Sequence, residues 1–288
     1  MKKSFLYAFV SIAIWSTTAT ASKLLLHSFT TMQILAVSSG FAAALLLAVN
    51  LYKGNLKKLK TYSGKDLLIT AGVGLLGTFF YNMFLVLGID RLLASQAMII
   101  NYLWPMMAVV AGCILLKEKM TVKKAVAVVL SFLGVVIVTT NGQLTGFASG
   151  QLSGAGFCVL AAVSYGLFVA LNKRLSYDSS LSMMLYYILS ALVAVICLAV
   201  TGDFPALGGV QTLGLAWVGL GDYAVAYVCW ALAMKSGDTA KVANLAYLTP
   251  FLTLVVAHFV LGDPVTGWSV GGLGVIIAGI FLQLKDGK

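Results

Sequence analysis

Polar and apolar positions alternate coarsely along this chain. Apolar runs of about 20 residues, the length a helix needs to cross a bilayer core, are divided by short breaks carrying charges, glycine or proline. Two of these runs, 67–89 and 92–116, contain no charged residue at all. In lipid, backbone polar groups must pair within such a run or across a closed barrel, and the length and unbroken apolarity select helices. Ten spans are predicted: 4–22, 30–52, 67–89, 92–116, 122–140, 152–172, 181–201, 211–234, 239–261 and 267–284. Breakers mark the connections, among them Gly54, Gly142, Gly202 with Pro205, and Gly262 with Pro264. The start of the chain, with Lys2-Lys3, an apolar run and Ala19-Thr20-Ala21, has the form of a secretory signal peptide. A counterpart in the second half makes it a retained span instead.

Self-similarity supplies that counterpart. Asn101-Tyr102-Leu103-Trp104-Pro105 in span four matches Ala246-Tyr247-Leu248-Thr249-Pro250 in span nine, and the same offset of 145 places Gly134 on Gly279. Spans one and six match at an offset of 150, Trp15 on Tyr165 and Lys23 on Lys173. Two units follow, 1–145 and 146–288. Five is an odd number, so the second unit enters the membrane from the opposite side. The predicted fold is all-α and integral to the membrane: ten transmembrane helices as two inverted five-helix repeats. Such repeats let one half adopt the conformation of the other, which opens a midplane site to alternate sides.

Composition agrees with this reading. Hydrophobic residues make up 60% of the 288, charged residues 10%, and mean hydropathy is +0.99, whereas a soluble domain carries about 25% charged residues. The net charge of +10 does not indicate nucleic acid, because the basic residues sit in short loops and form no stripe with interleaved aromatics. With ten spans, seventeen of the nineteen fall on the side of the two termini, leaving Lys23 and Arg91 opposite. Short basic loops stay cytoplasmic, so the chain is expected in the inner (plasma) membrane with both termini inside. Cys113, Cys158, Cys197 and Cys229 lie inside apolar runs without metal-ligand spacing. No Gly-x-x-x-x-Gly-Lys-Ser/Thr loop occurs. No cofactor is expected; the expected partners are a small-molecule substrate and the bilayer, for a monomer.

Ten spans in two halves, with the Asn-Tyr-Leu-Trp-Pro motif and its Tyr-Leu-Thr-Pro echo, resemble the drug/metabolite transporter superfamily in its EamA branch. Within it, the Asn101 to Pro105 segment, Ala226-Tyr227 with Trp230, and Asn172-Lys173 resemble exporters of aromatic amino acids. The resemblance covers nearly the whole chain and implies export of amino acids or related small metabolites.

Helical spacing at 100° per residue points to residues that could line a cavity. In span one, Ser11, Trp15, Thr18 and Ser22 form one stripe, matched in span six by Ala161, Tyr165, Phe168 and Asn172. Span eight shows Tyr223, Tyr227 and Trp230 on one face, span four Asn101 and Trp104, and span three Tyr81 and Asn82. An aromatic wall would stack on planar substrates, with the asparagines binding head groups. Small polar residues also glue membrane helices together, and aromatic belts mark the lipid boundary, so Ser11, Thr18 and Ser22 remain open between the two roles. Pro105 and Pro250, at matching positions inside their spans, are expected to kink them and act as hinges.

Asp222 stands apart, since every other acid lies in a loop or at a span end. An intramembrane carboxylate could bind a substrate ammonium, carry a coupling proton or pair with a nearby donor. It departs from the exporters the chain resembles and admits an alternative, export of cationic or drug-like compounds. A remote alternative is an intramembrane protease, because Gly219-Leu220-Gly221-Asp222 and Tyr177-Asp178 match the aspartyl motifs of that class by letter. Those carboxylates would have to share a proton, yet roughly ten helical residues, about 15 Å, separate their depths. A channel lacks its filter or ring of acids here. His258 reads as a structural histidine.

Overall fold

The computed structural model describes residues 2–142, 149–175, 178–236, 242 and 245–284, and every regular element among them is helical. Helix α1 (Lys2–Leu25) is followed by α2 (Thr31–Tyr52) and a short 3₁₀ turn (Asn55–Thr61). The third crossing joins α3 (Gly64–Leu75) to α4 (Tyr81–Arg91) through a π turn, Leu76–Phe80. The fourth is broken into α5 (Ala94–Asn101) and α6 (Trp104–Leu115), and α7 (Val122–Thr140) completes the first half. In the second half, α8 (Ser149–Asn172) and α9 (Ser179–Thr201) precede a crossing built from α10 (Gly209–Ala216), a long π segment (Trp217–Ala226) and α11 (Tyr227–Ser236). Helices α12 (Leu248–Leu261) and α13 (Gly267–Leu284) end it. Eight crossings are long and apolar enough to span a bilayer, and α12 and α13 are shorter apolar helices. The ten segments are those read from the sequence. Most of the inner end of span nine (239–241 and 243–244), the junction 143–148 that contains the boundary of the two units, and Tyr177 lie outside the described residues.

The two halves echo each other in backbone as well as in sequence. The π turns of the third and eighth crossings overlap under the offset of 145, since 76–80 maps onto 221–225. The αL residue that ends α6, Lys117 with φ 57°, matches Gly262 with φ 74° at the end of α12. Glu118 N–H donates to Gly112 O at 3.3 Å, and Asp263 N–H to Ala257 O at 3.3 Å, again offset by 145.

One packing contact shows how the halves meet. A Cβ on Gly134 would lie 2.6 Å from Ile276 and 2.7 Å from Gly272 O; a Cβ on Gly279 would lie 2.7 Å from Ala127 O and 2.7 Å from Ser131 Oγ. Offset by 145, the first set of partners becomes the second, so α7 and α13 cross antiparallel about a local twofold relation. Only glycine lets the two backbones approach this closely, the small-residue packing that holds membrane helices together.

The prolines behave differently from a simple kink. Pro105 is the second residue of α6, after a turn at Tyr102 and Leu103, and Pro250 is the third residue of α12, after a turn at Ala246 and Tyr247. In a first helical turn the missing N–H would have no intrahelical partner anyway. The chain therefore interrupts both helices and restarts them, rather than bending one continuous helix.

Both basic residues of the sparsely charged side are absorbed by helix ends. Lys23 Nζ donates to the carbonyls of Ile89 (2.7 Å), Asp90 (3.1 Å) and Leu92 (2.9 Å), and Arg91 Nη1 to Leu87 O at 2.9 Å. A cation there complements the carbonyl end of α4. Its repeat counterpart Lys173 lies 3.9 Å from Glu118, while Arg174 donates to Leu115 O at 2.7 Å.

Candidate functional site

A cavity of about 290 Å³ sits where the irregular segments meet. Trp15, Tyr81, Asn82, Asn101, Trp104, Tyr165, Tyr223, Tyr227 and Trp230 from the stripes that helical spacing drew, and Asp222, singled out by its depth in span eight, all line it. Each irregularity has a part in this. The π turns wind the backbone more widely just before Tyr81 and Asn82 in one half and around Asp222 and Tyr223 in the other. The breaks in the fourth and ninth crossings turn Asn101, Tyr102, Ala246 and Tyr247 to the same space. There Tyr102 Oη donates to Ala246 O at 2.6 Å, tying one break to the other.

The walls follow the repeat. On one side Trp15 of α1 meets Tyr227 edge-on, centroids 5.4 Å apart, and Trp230 at 5.4 Å. On the other, Tyr165 of α8 packs on Tyr81 at 4.7 Å and takes Trp104 edge-on at 5.2 Å. Trp15 and Tyr165 are repeat counterparts, so each wall joins the first helix of one half to the third of the other. Tyr187 of α9 stacks on Tyr223 at 5.2 Å and braces it from behind. Aromatic pairs of this kind add about 0.5–1.5 kcal/mol beyond area burial, which favours a preformed cavity.

The two walls differ at one point. Asp222 maps onto Gly77, and Thr18 onto Phe168. In the first half the Phe168 ring fills the slot so fully that a Cβ on Gly77 would lie 2.3 Å from it. In the second half Thr18 of α1 faces the Asp222 carboxyl, and both line the cavity. Asp222 is buried, 6% exposed, and among the described residues is the only charged side chain in the lining. Among the described residues no lysine, arginine or histidine forms an ion pair with it. A bare carboxylate at the centre of a spanning helix costs at least ~2.5 kcal/mol, so a neutralising proton or cation is required. Nearby, Asn101 Nδ2 donates to Tyr81 Oη at 3.1 Å while its buried Oδ1 has no hydrogen-bond partner. The charge in the described lining is thus negative, and it attracts positive charge.

Other candidates go elsewhere. Ser11 Oγ donates to Ala226 O at 2.8 Å and stitches α1 to the eighth crossing. Ser22 is buried away from the cavity, and Asn172 accepts from Tyr186 Oη at 2.9 Å. These are structural contacts. Asp178 begins α9, accepting from the backbone N–H groups of Ser180 and Leu181 and from Lys58. It does not line the cavity, so the paired carboxylates an aspartyl protease needs are not assembled. His258 Nδ1 lies 2.9 Å from Asp263 O in its own turn.

Spacing alone missed Leu85, Met98, Tyr102, Met234, Ala246, Tyr247 and Thr249, which also line the cavity. Four of these belong to the repeated motif of spans four and nine, so the motif itself was the available signal. Leu85, Met98 and Met234 carry none that separates a cavity wall from packing.

Comparison with known proteins agrees with this architecture. The profile of the EamA-like transporter family matches the chain twice, over residues 2–140 and 152–284. An uncharacterized transporter of Clostridium kluyveri is 25% identical, with 100% of this chain and 95% of that protein covered. The aromatic amino acid exporter YddG of Ancylobacter novellus is 23% identical over 65% of this chain and 66% of its own length. A probable amino-acid metabolite efflux pump of Salmonella typhimurium is 23% identical over 60% of this chain and 61% of its own. A crystal structure superposes with a TM-score of 0.66 at 20% identity, covering 98% of this chain and 96% of the other, a likeness of fold.

Proposed function

The chain belongs to the EamA-like transporter family, and from that premise we propose that it is a secondary transporter exporting amino acids or related small metabolites by alternating access. The observation that carries the reading is the aromatic cavity at the meeting point of two broken and two π-wound crossings. Rings on two walls suit an apolar or planar side chain, and Asn82 and Asn101 suit its head group. Pro105 and Pro250 keep both breaks open, and the halves rock about them, with the Tyr102 to Ala246 contact as the point where the broken helices touch. Inverted repeats with a midplane site between discontinuous helices are the architecture of alternating access. The two relatives named for amino-acid export support the substrate class.

Flux into proteoliposomes over a panel of amino acids, amines and nucleosides tests this reading. Saturable uptake of at least one panel member is expected, and Trp15→Ala should weaken it by about tenfold, near the value of one aromatic contact. Absence of protein-dependent flux for the whole panel would sink the proposal.

A further inference from the structure

The cavity is chemically one-sided. Among the described residues its lining holds one carboxylate, Asp222, and no lysine, arginine or histidine. An amino-acid carboxylate entering it would find hydroxyl and amide donors but no counter-charge, and would lie in the same small space as Asp222. A positively charged group meets the opposite: a carboxylate and ring faces that attract cations. Resting on the transport reading above, and narrowing its substrate to the related metabolites that lack a carboxylate, we propose that the substrate is an organic cation with an apolar or aromatic body, an ammonium without a carboxylate, and that it exchanges for a proton at Asp222.

The exchange follows from the isolation of that carboxyl. The groups facing it from the packed elements are Thr18 from α1 and the tyrosines Tyr81, Tyr165, Tyr187, Tyr223 and Tyr227 from the third, sixth, seventh and eighth crossings. None supplies a positive charge, and the pairs that Lys58, Lys124 and Lys173 make are with Asp178 and Glu118. The buried carboxyl therefore exists in two stable forms, protonated or paired with the bound cation. An ammonium entering from one compartment displaces the proton into that compartment. When the ammonium leaves on the far side, Asp222 takes a proton from there. One monovalent cation moves one way and one proton the other, with no net charge transferred. The repeat explains why there is one such site: the counterpart position is Gly77, covered by Phe168.

The test uses the full chain in proteoliposomes with benzyltrimethylammonium, a fixed-charge probe that carries no exchangeable proton, and a trapped pH-sensitive dye. An outwardly directed proton gradient should drive saturable accumulation of the probe at least about tenfold above the level without a gradient. The dye should report one proton leaving per probe entering, and a potassium–valinomycin clamp should leave the rate unchanged. Phenethylamine should compete and phenylalanine should not. Asp222→Asn should abolish the proton counterflow, while Asp222→Glu should retain coupling with a shifted pH profile; circular dichroism checks that both variants are folded. Probe flux insensitive to the proton gradient, or wild-type coupling in Asp222→Asn, overturns the exchange. Flux of phenylalanine without flux of the cation overturns this inference and leaves the export reading intact. Absence of flux for either, and for the wider panel, removes both.

Discussion

Asp178 and Asp222 show how far environment decides what one side-chain type does. Asp178 lies outside the spans, where the Lys58 ammonium, and after it the N–H groups of Leu181 and Ser180, hold its carboxyl below the usual carboxylate range. A carboxyl lowered on folding stabilises the protein above its unfolded value, and this contribution is lost as pH falls through the folded one. The detergent-solubilised protein should therefore lose melting temperature on acidification below about pH 4, and Asp178→Asn should flatten that part of the profile. At neutral pH the variant should cost no more than about 1 kcal/mol, as an exposed pair contributes little and asparagine still caps α9. Melting curves from pH 7 downward check this; an unchanged acid limb would show that the pair is idle. Asp222, by contrast, has no cation beside it among the described residues, and its chemistry belongs to what enters the cavity.

At the scale of elements, the close crossing of α7 and α13 is the most demanding contact. Gly279→Leu places its Cβ against Ala127 O and Ser131 Oγ, both at 2.7 Å. Overpacking of this kind typically costs about 1–3 kcal/mol. A Cβ on Gly274 of the same helix would meet nothing within 4 Å, so Gly274→Leu serves as the matched control. Thermal unfolding in detergent should show a loss of several degrees for the first and little change for the second; equal behaviour would mean that the crossing is not tight. The prolines teach a related lesson. Their positions within predicted spans read as kinks, but the packed molecule uses them to restart helices, because the turns before them deliver Asn101, Tyr102, Ala246 and Tyr247 to the cavity.

For the whole molecule, the uneven distribution of lysine and arginine leads to a topology that can be measured. Phosphatase fusions, active only outside the cytoplasm, should be inactive at the C-terminus and active after Ser28 or Arg91. The reverse pattern would invert the orientation and, with it, the sense in which the cavity opens. Lys23 and Arg91 are the two basic residues on the outer side by this reading, and both are held by carbonyls at the end of α4.

The residue pattern was enough for the ten apolar segments, because the length of a bilayer-crossing helix and the need to pair its backbone are properties of single segments. It was enough for the repeat, since an offset of 145 is visible in letters, and for the aromatic stripes, since helical periodicity places residues on faces. It could not distinguish Ser11 from Thr18: both lie on one stripe, yet one bonds to Ala226 O and the other faces Asp222. It also could not reveal the π turns, the restarted helices or the glycine crossing, which depend on how neighbouring helices pack. Whether Asp222 pairs with a donor was likewise open until the helices were assembled. Ion pairing depends on distances between segments remote in the chain, and only the folded arrangement shows a carboxylate among rings with no ion pair to it among the described residues.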